Sequence, residues 1–499
     1  MTSLSRQNSA TNVLAEEMPP VSFALEELLK GAGSKSPRLE VEGVNADSRA
    51  IKAGEVFFAV PGLHVHGNEF AAQARANGAT AIVTDRAPAS DPGIPVVVVD
   101  DVRAVYARAA AVQFAPQPEI VVGVTGTNGK SSIVSFVRQI WAASGYKAAS
   151  VGTVGIETAA GLIPGELTTP DALSLHRDLG RLKAEGIDHV AMEASSQGLD
   201  QRRVDGVHFN AVAFTNLSRD HLDYHADMAA YRDAKVRLFT DLIVEGGAAV
   251  VNVDDAEYEP FMFAALSRGV TLLTVGQEGA WFEINSIVNE GYGQRVMGRL
   301  VGEPVSFTLP LTGAFQASNA LVALALAMST GAPADKALAA LEHLRGARGR
   351  LELVGEHNGA AIFIDYSHKP VALETALAAL RPYARNDLHV VFGAGGDRDK
   401  GKRPIMGEVA GRMADKVIVT DDNPRTEHAA TIRREIIAAV PTAREIGDRR
   451  EAIETAISSL QPGDVLLIAG KGHEDYQIVG TTKHHFSDHE VVAETLKGR

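Results

Sequence analysis

The segment "GVTGTNGKSS" (Gly123–Ser132) ends in Gly129-Lys130-Ser131, a combination suited to holding a nucleoside triphosphate. Backbone N–H groups of Gly126, Thr127, Asn128, Gly129 and Lys130 can face phosphate oxygens where a helix begins. The Lys130 ammonium would then reach the outer phosphates, and the Ser131 hydroxyl, with Ser132 beside it, suits Mg²⁺. The usual spacing G-x-x-x-x-G-K-[ST] wants its first glycine at position 124, where this chain has Val124 between glycines at 123 and 126. A plain glycine turn accounts for the glycines but not for Lys130-Ser131 in register.

Three further residues could do chemistry. Glu193 closes the apolar run "HVAMEASS". A carboxylate is costly there unless paired or metal-bound, and its hard oxygens suit Mg²⁺. A helix cap or a surface ion pair explains it equally well. His221 stands in "TNLSRDHLDYH" among Asp220, Asp223 and His225. Lys235, in the helical stretch "YRDAKVRLF", reads on residue chemistry alone as an ordinary helix lysine with its stem along apolar neighbours.

The elements that must position these groups repeat one pattern. Short β-branched runs such as "EIVVGVTG", "HVAMEASS", "AVAFTNLS" and "GAAVVNVDD" are separated by helical stretches, as buried parallel strands are. The same style returns in "AAIFIDYSH", "LHVVFGAGGDRD", "KVIVTDDNPR" and "DVLLIAGKGHE". In nearly every case the unusual polar residues follow the apolar run, and open parallel sheets bind ligands outside the carboxyl ends of their strands. The expected fold is therefore α/β in three domains after a disordered tail over residues 1–20. These are a small N-terminal α/β domain over 21–116, a central doubly wound, mostly parallel P-loop-type sheet over 117–345, and a Rossmann-like C-terminal domain over 346–499.

Composition bounds the rest. With 499 residues, 45% apolar and 22% charged, the chain is of ordinary globular make-up and too long for one core. A net charge of −14 argues against nucleic-acid binding, which needs a basic face, but leaves room for small anions held locally. No cysteine is present, so disulfides and thiolate chemistry are excluded. There is neither an apolar run long enough to span a membrane nor a secretory leader at the start, so no membrane partner and a cytoplasmic location are expected.

Taken in order, "TGTNGKSS", "TTPDAL", "MEASSQGL", "TNLSRDHLDYH", "AKVRLF", "LTGAFQASNALVA", "GRLE", "DYSHKP", "GDRDKGKRP", "DNPR" and "GKGHE" resemble the Mur ligases, ATP-dependent amide-forming enzymes of peptidoglycan synthesis. That family's loop is T-G-T-N-G-K-[ST], which explains the displaced glycine. "DNPR" resembles the version found in members that add meso-2,6-diaminopimelate to UDP-MurNAc-L-Ala-D-Glu.

The resemblance implies roles residue by residue. Lys130 and Ser131 would bind ATP phosphates and Mg²⁺, with Glu193 sharing that ion. His221 and an N-carboxylated Lys235 would hold a second Mg²⁺. Asn319, Arg350, Asp365 and His368 would complete the ATP site. Ser48, Thr168, Thr169, Ser195, Gln201 and Arg203 would contact the UDP-MurNAc-dipeptide. Arg398, Asp422, Asn423, Pro424, Arg425, Gly470 and Glu474 would hold diaminopimelate, Arg425 taking a carboxylate as a fork.

The implied route phosphorylates the D-glutamyl side-chain carboxylate and lets an amine attack the acyl phosphate, in a monomer whose C-terminal domain closes on the central one. Several positions depart from the family's commoner residues: Ser131-Ser132, His66, Gln316, Ser367, Lys369 and Ala394. L-lysine as the amino acid, a folylpolyglutamate-synthetase-like ligase and a P-loop NTPase without ligase activity remain alternatives.

Overall fold

The computed structural model describes residues 22–32, 37–62 and 64–498, so the tail expected over 1–20 lies outside the described residues. The chain divides into two compact units. Unit one gathers residues up to Gln117 together with Asp171–Arg181 and Gln201–Val207, and unit two holds the rest.

In unit one, strands Gly43–Asn45, Glu55–Phe58, Ala81–Thr84 and Val96–Val98 form a four-stranded sheet in sequence order, parallel throughout. Both faces are covered, which is why its strands read as apolar runs rather than alternating ones. Val44, Val56, Phe58 and Val83 pack with Val105 and Ala109 of helix Val102–Gln113. Phe57, Ala59 and Ile82 pack on the other face with Ala71 and Ala74. Asp101 starts the long helix by accepting from Ala104 N at 3.0 Å. The segment Asp171–Arg181 joins this unit through Ala172 in the core and Arg177, whose guanidinium lies 5.5 Å from the Phe114 ring centre.

Unit two contains two large sheets. The first has eleven strands, seven of them in a parallel block in the spatial order Ala148–Gly152, His189–Glu193, Ile120–Thr125, Phe209–Phe214, Ile243–Asn252, Thr271–Gly276 and Phe282–Glu290. A hairpin, Gly155–Thr158 with Gly161–Pro164, extends one edge antiparallel. A meander of Phe282–Glu290, Gly293–Leu300 and Glu303–Leu309 extends the other. Helices Lys130–Ala143 and Ala314–Ser329 cover one face, burying Ile133, Phe136, Trp141, Leu321 and Leu324 completely. Each such side chain contributes roughly 1.5–3 kcal/mol on leaving water.

The second sheet runs Glu352–His357, Ala360–Asp365, Val465–Ala469, Leu388–Phe392, Lys416–Val419 and Arg444–Glu445, parallel except for its first strand. Parallel register aligns the strand ends: Glu193 lies beside Val124, Phe214 beside Thr125, and Asp365 beside Ala469. The polar clusters therefore emerge together along one edge of each sheet. Among the described residues no helix is long and apolar enough to cross a membrane.

Candidate active site

Strand Ile120–Thr125 delivers the phosphate loop, and helix Lys130–Ala143 takes it away. Gly126 has φ 144° and Gly129 φ 88°, conformations that favour glycine. Space demands it too, because a Cβ at Gly126 would strike Thr215 Oγ1 and one at Gly129 would come within 2.5 Å of Asn319 Oδ1. Thr127 N donates to Asn216 O at 2.8 Å and Asn128 N to Asn216 Oδ1 at 2.9 Å, tying the loop to the next strand end. Lys130 Nζ folds back on its own loop, donating to Gly126 O at 2.8 Å and Thr127 O at 2.9 Å. Burial, and more weakly the nearby Arg350 and Lys369, push its ammonium below the usual lysine range, with Glu193 and Asp220 opposing.

Ser131 and Glu193 meet as their strand positions require. Ser131 Oγ donates to Glu193 Oε1 at 2.9 Å, and Thr153 N donates to the same oxygen at 2.8 Å. Glu193 is buried, so the carboxylate is neither a surface ion pair nor a helix cap. Two oxygens of this kind side by side form a hard donor set that fits Mg²⁺. Among the described residues no group of three His, Cys, Asp or Glu gathers, so an ion here would draw its other ligands from water or phosphate. Thr168 Oγ1 lies 3.0 Å from Thr153 Oγ1, Thr169 Oγ1 donates to Glu193 O at 2.9 Å, and Ser195 N donates to Thr169 Oγ1 at 3.0 Å. These five residues thus form one polar patch around the carboxylate.

Lys235 is not a snorkelling lysine. It is 1% exposed, and its Nζ donates to Gly126 O at 2.8 Å while lying 4.5 Å over the Tyr231 ring. No carboxylate pairs with it among the described residues, and burial with Lys130 nearby pushes its pKa far down. The Tyr231 hydroxyl in turn reaches Thr127 Oγ1 at 3.1 Å. His221 sits in the left-handed region at φ 53°, held by Asp220 Oδ1, which accepts from His221 N at 2.9 Å. Its ring centre is 6.1 Å from that of Tyr231, so His221 and Lys235 flank one aromatic ring.

Asn319, from helix Ala314–Ser329, lies against Gly129 and donates to Gln316 Oε1 at 3.0 Å. Asp365 ends its strand and accepts from Leu351 N at 2.7 Å and from Ser367 Oγ, while burial pushes its carboxyl up. Arg350 stacks 5.0 Å over Tyr366, and its Nε is buried without an acceptor among the described residues. His368 lies 4.5 Å from Tyr366 ring to ring, and burial holds it down to about 4.

In the C-terminal sheet, Asp422, Asn423 and Pro424 are buried and Arg425 follows at φ 52°. Asn423 Nδ2 donates to Glu474 Oε2 at 3.0 Å, and Tyr366 OH reaches Glu474 Oε1 at 3.5 Å. Gly470 has φ 114°, and a Cβ there would lie 3.4 Å from Asp422 Oδ2. Arg425 NH1 donates to Gly396 O at 2.9 Å, which brings it to the loop of Arg398, itself exposed. A cavity of about 980 Å³ opens at the opposite, starting ends of these strands, beside Asp387, His389, Lys416 and Arg444, and contains none of these residues.

In unit one Ser48 is buried, its Oγ donating to Gln73 Oε1 at 2.8 Å, and Arg203 NH2 donates to Gln201 Oε1 at 2.8 Å.

Models of known families match three stretches: Mur ligase family, catalytic domain, at residues 40–122; Mur ligase middle domain at 124–327; and Mur ligase, glutamate ligase domain, at 349–472. A protein of Chelativorans sp. (strain BNC1) named UDP-N-acetylmuramoyl-L-alanyl-D-glutamate--2,6-diaminopimelate ligase is 51% identical over 95% of this chain and 98% of its own. One of the same name from Brucella melitensis is 51% identical over 94% and 96%. The chain belongs to the Mur ligase family. A solved structure carrying that same ligase name superposes with a TM-score of 0.72 at 31% identity, covering 96% of this chain and 99% of the other. Folylpolyglutamate synthase of Mycobacterium tuberculosis, solved with ADP and AMPPCP, shares the fold at 19% identity and TM-score 0.61, over 80% and 95% of the two chains.

The departures from the commoner Mur ligase residues have local explanations. His66 takes the cap position before the 3₁₀ turn Gly67–Phe70, Nδ1 accepting from Asn68 N at 3.1 Å, the task an aspartate performs at such sites. Its Nε2 lies 2.8 Å from Asp85 Oδ1, a contact aspartate could not make. Lys369 bonds Asp220 Oδ1 at 2.8 Å, adding an ion pair beside His221. Ala394 is simply buried.

Residue-by-residue reading passed over several members of this Mur ligase site. Lys471 lies inside the quoted "GKGHE", wholly buried, 3.4 Å from Asp422 and 3.6 Å from Glu474. Asn216 in "TNLSRDHLDYH" and Tyr231 in "YRDAKVRLF" had no task of their own and Thr153 lies in no quoted stretch; only the folded contacts reveal them.

Proposed function

We propose that this enzyme joins meso-2,6-diaminopimelate to UDP-MurNAc-L-Ala-D-Glu at the expense of ATP. The observation that carries the substrate assignment is the pairing, at one strand edge, of buried acids with a guanidinium: Asp422, Asn423 and Glu474 converge for an ammonium group, and Arg425 lies beside them for a carboxylate. An amino acid with a second zwitterionic end matches that arrangement, and relatives of about half-identical sequence bear the corresponding name. The domains divide the work, with residues 21–116 for the uridine nucleotide, 117–345 for ATP and 346–499 for the amino acid.

Lys130, Asn319, Arg350, Asp365 and His368 bind ATP. Support comes from the phosphate loop ending at the N-terminus of helix Lys130–Ala143 and from the orphaned Arg350 Nε, a donor awaiting an anion. Thr168, Thr169, Ser195, Ser48, Gln201 and Arg203 bind the uridine substrate. Ser131 with Glu193, and His221 with an N-carboxylated Lys235, would hold Mg²⁺, which supplies charge neutralisation for the transferring phosphoryl group. Burial drives the Lys235 amine toward its neutral form, and no carboxylate pairs with it among the described residues; this supports the carbamate, since the neutral amine can add to carbon dioxide and, on losing a proton, leave an oxygen ligand.

The phosphoryl group passes to the D-glutamyl side-chain carboxylate, releasing ADP. Lys130 stabilises its charge by position rather than by covalent chemistry. The amine of diaminopimelate then attacks the acyl carbon, the C–O bond to phosphate breaks, and the amine gives up a proton. Incubating the enzyme with ATP, UDP-MurNAc-dipeptide and either meso-diaminopimelate or L-lysine tests this directly. Phosphate release and tripeptide mass should require diaminopimelate; product with L-lysine alone, or phosphate release without any amino acid, would overturn it.

A further inference from the structure

Asp397 at φ 54° and Arg425 at φ 52° are non-glycine residues in the left-handed region, one in each loop that carries the proposed diaminopimelate ligands. Side chains with a Cβ stay there only where the surroundings over-determine them. The surroundings are the other loop. Asp397 accepts from Thr426 N at 3.0 Å and from Thr426 Oγ1 at 2.7 Å. Gly396 N donates to Asn423 O at 2.9 Å, and Arg425 NH1 returns a bond to Gly396 O at 2.9 Å.

These links gather on one carboxylate. Glu427 Oε1 accepts from Asp397 N at 2.7 Å and from Arg403 NH2 at 2.9 Å, and its Oε2 accepts from Arg403 NH1 at 3.1 Å. The Arg403 side chain is 0% exposed, and it also donates to Gly395 O at 3.3 Å and to Glu435 Oε2 at 2.7 Å. A guanidinium fork fixes a carboxylate in direction as well as distance, which a lysine does not. So Arg403 grips the first loop at Gly395 and the second at Glu427, while itself sealed from any ligand.

We propose that Arg403, acting through Glu427, is the positioning residue of the amino-acid site: it sets the register of the two loops so that Arg398 and Arg425 face the incoming amino acid. The proposal rests on the diaminopimelate reading and deepens it. A merely structural ion pair would change stability or the active fraction, and would treat the three substrates alike.

Steady-state kinetics of the full chain, varying each substrate in turn, separates the two. Glu427→Gln keeps the shape but breaks the fork, and should raise KM for diaminopimelate about tenfold while KM for ATP and for the uridine substrate stays within about twofold. Arg403→Met should do the same more severely, and Arg403→Lys should recover part of the loss. Glu435→Gln removes the other carboxylate on Arg403, outside both loops, and should leave all three constants within about twofold. An unchanged diaminopimelate KM in Glu427→Gln, an equal rise in all three, or an equal effect from Glu435→Gln would overturn the proposal. Should Arg403→Met fail to fold, the Glu427→Gln and Glu435→Gln pair decides alone. Wild-type enzyme that uses L-lysine instead would sink the substrate reading, and the same split measured on L-lysine would then judge Arg403.

Discussion

Lys235, in the helix that follows the fourth strand of the central parallel block, and Lys471, in the last strand-end loop of the C-terminal sheet, are 1% and 0% exposed. Their surroundings are opposite. Lys235 has a carbonyl and an aromatic face for company, with Lys130 adding like charge. Lys471 has Asp422 at 3.4 Å, Glu474 at 3.6 Å, Asn423 Oδ1 at 3.1 Å and Tyr476 O at 2.6 Å. Burial drives the Lys235 amine toward its neutral form, whereas Asp422 and Glu474 set opposite charge beside Lys471. The surroundings of Lys235 are therefore short of anions, and those of Lys471 are balanced internally before any ligand arrives.

The largest effect should come from the unbalanced side. Lys235→Ala should lower kcat by about a hundredfold or more, by analogy with removing one preorganised stabiliser of charge, and Lys235→Glu should recover a measurable part of it. Turnover near wild type in Lys235→Ala would break the contrast at its source. Intact mass and ¹³C NMR after exposure to labelled bicarbonate report the carbamate separately from activity.

Next in size, Arg425→Ala should raise the KM for diaminopimelate about ten- to a hundredfold with little change for ATP, as expected for loss of a charge-assisted bond. Equal effects on both substrates would show that the C-terminal balance serves folding and not recognition.

Stability should then separate the two lysines. Lys471→Met leaves Asp422 and Glu474 buried without their cation and should cost about 3 kcal/mol or more, read as a fall in the urea midpoint. Lys235→Met removes a buried polar group that has no acidic partner among the described residues and should leave that midpoint unchanged or raised, even as activity disappears. Parallel losses in both variants would erase the distinction.

The same contrast explains what could be read from sequence. The phosphate loop was legible because glycine spacing, Lys130 and Ser131 are adjacent in the chain, and backbone geometry there is local. The strand ends were legible because parallel sheets buried on both faces leave continuous apolar runs. The role of Lys235 was not: Tyr231 stands one helical turn before it, but Gly126 becomes its neighbour only when the phosphate loop meets the helix Met228–Arg237. Arg403 was quoted inside "GDRDKGKRP" without a task, because its partners Glu427 and Glu435 lie on the next strand-end loop and helix. The antiparallel meander over 282–309 was also passed over: its strands face solvent on one side and alternate, unlike the apolar runs being sought.

The smallest effect concerns the ring cluster of Tyr366, His368 and His473 in the C-terminal region. Tyr366 lies 4.5 Å from the His368 ring and 4.9 Å from the His473 ring, and burial holds both histidines down to about 4. Cations reinforce the shift: Lys402 and Lys369 beside His368, Arg350 and Arg348 beside His473, with Asp422 and Asp475 opposing. A histidine whose folded pKa is depressed stays neutral while the unfolded chain takes up protons. Stability is then lost as pH falls from about 6.5 toward 4, by about 2–3 kcal/mol for each ring at the lower end. Asp365 and Glu474, whose carboxyls are pushed up by burial, act in the opposite sense over part of that window, so wild type alone is ambiguous. The difference between wild type and His368→Gln or His473→Gln isolates each ring. From pH 7 through 5.5 to 4.5, each variant's urea midpoint should rise relative to wild type if the histidines destabilise the acid side. A difference that stays constant across the three would mean that the rings act by packing on Tyr366 alone.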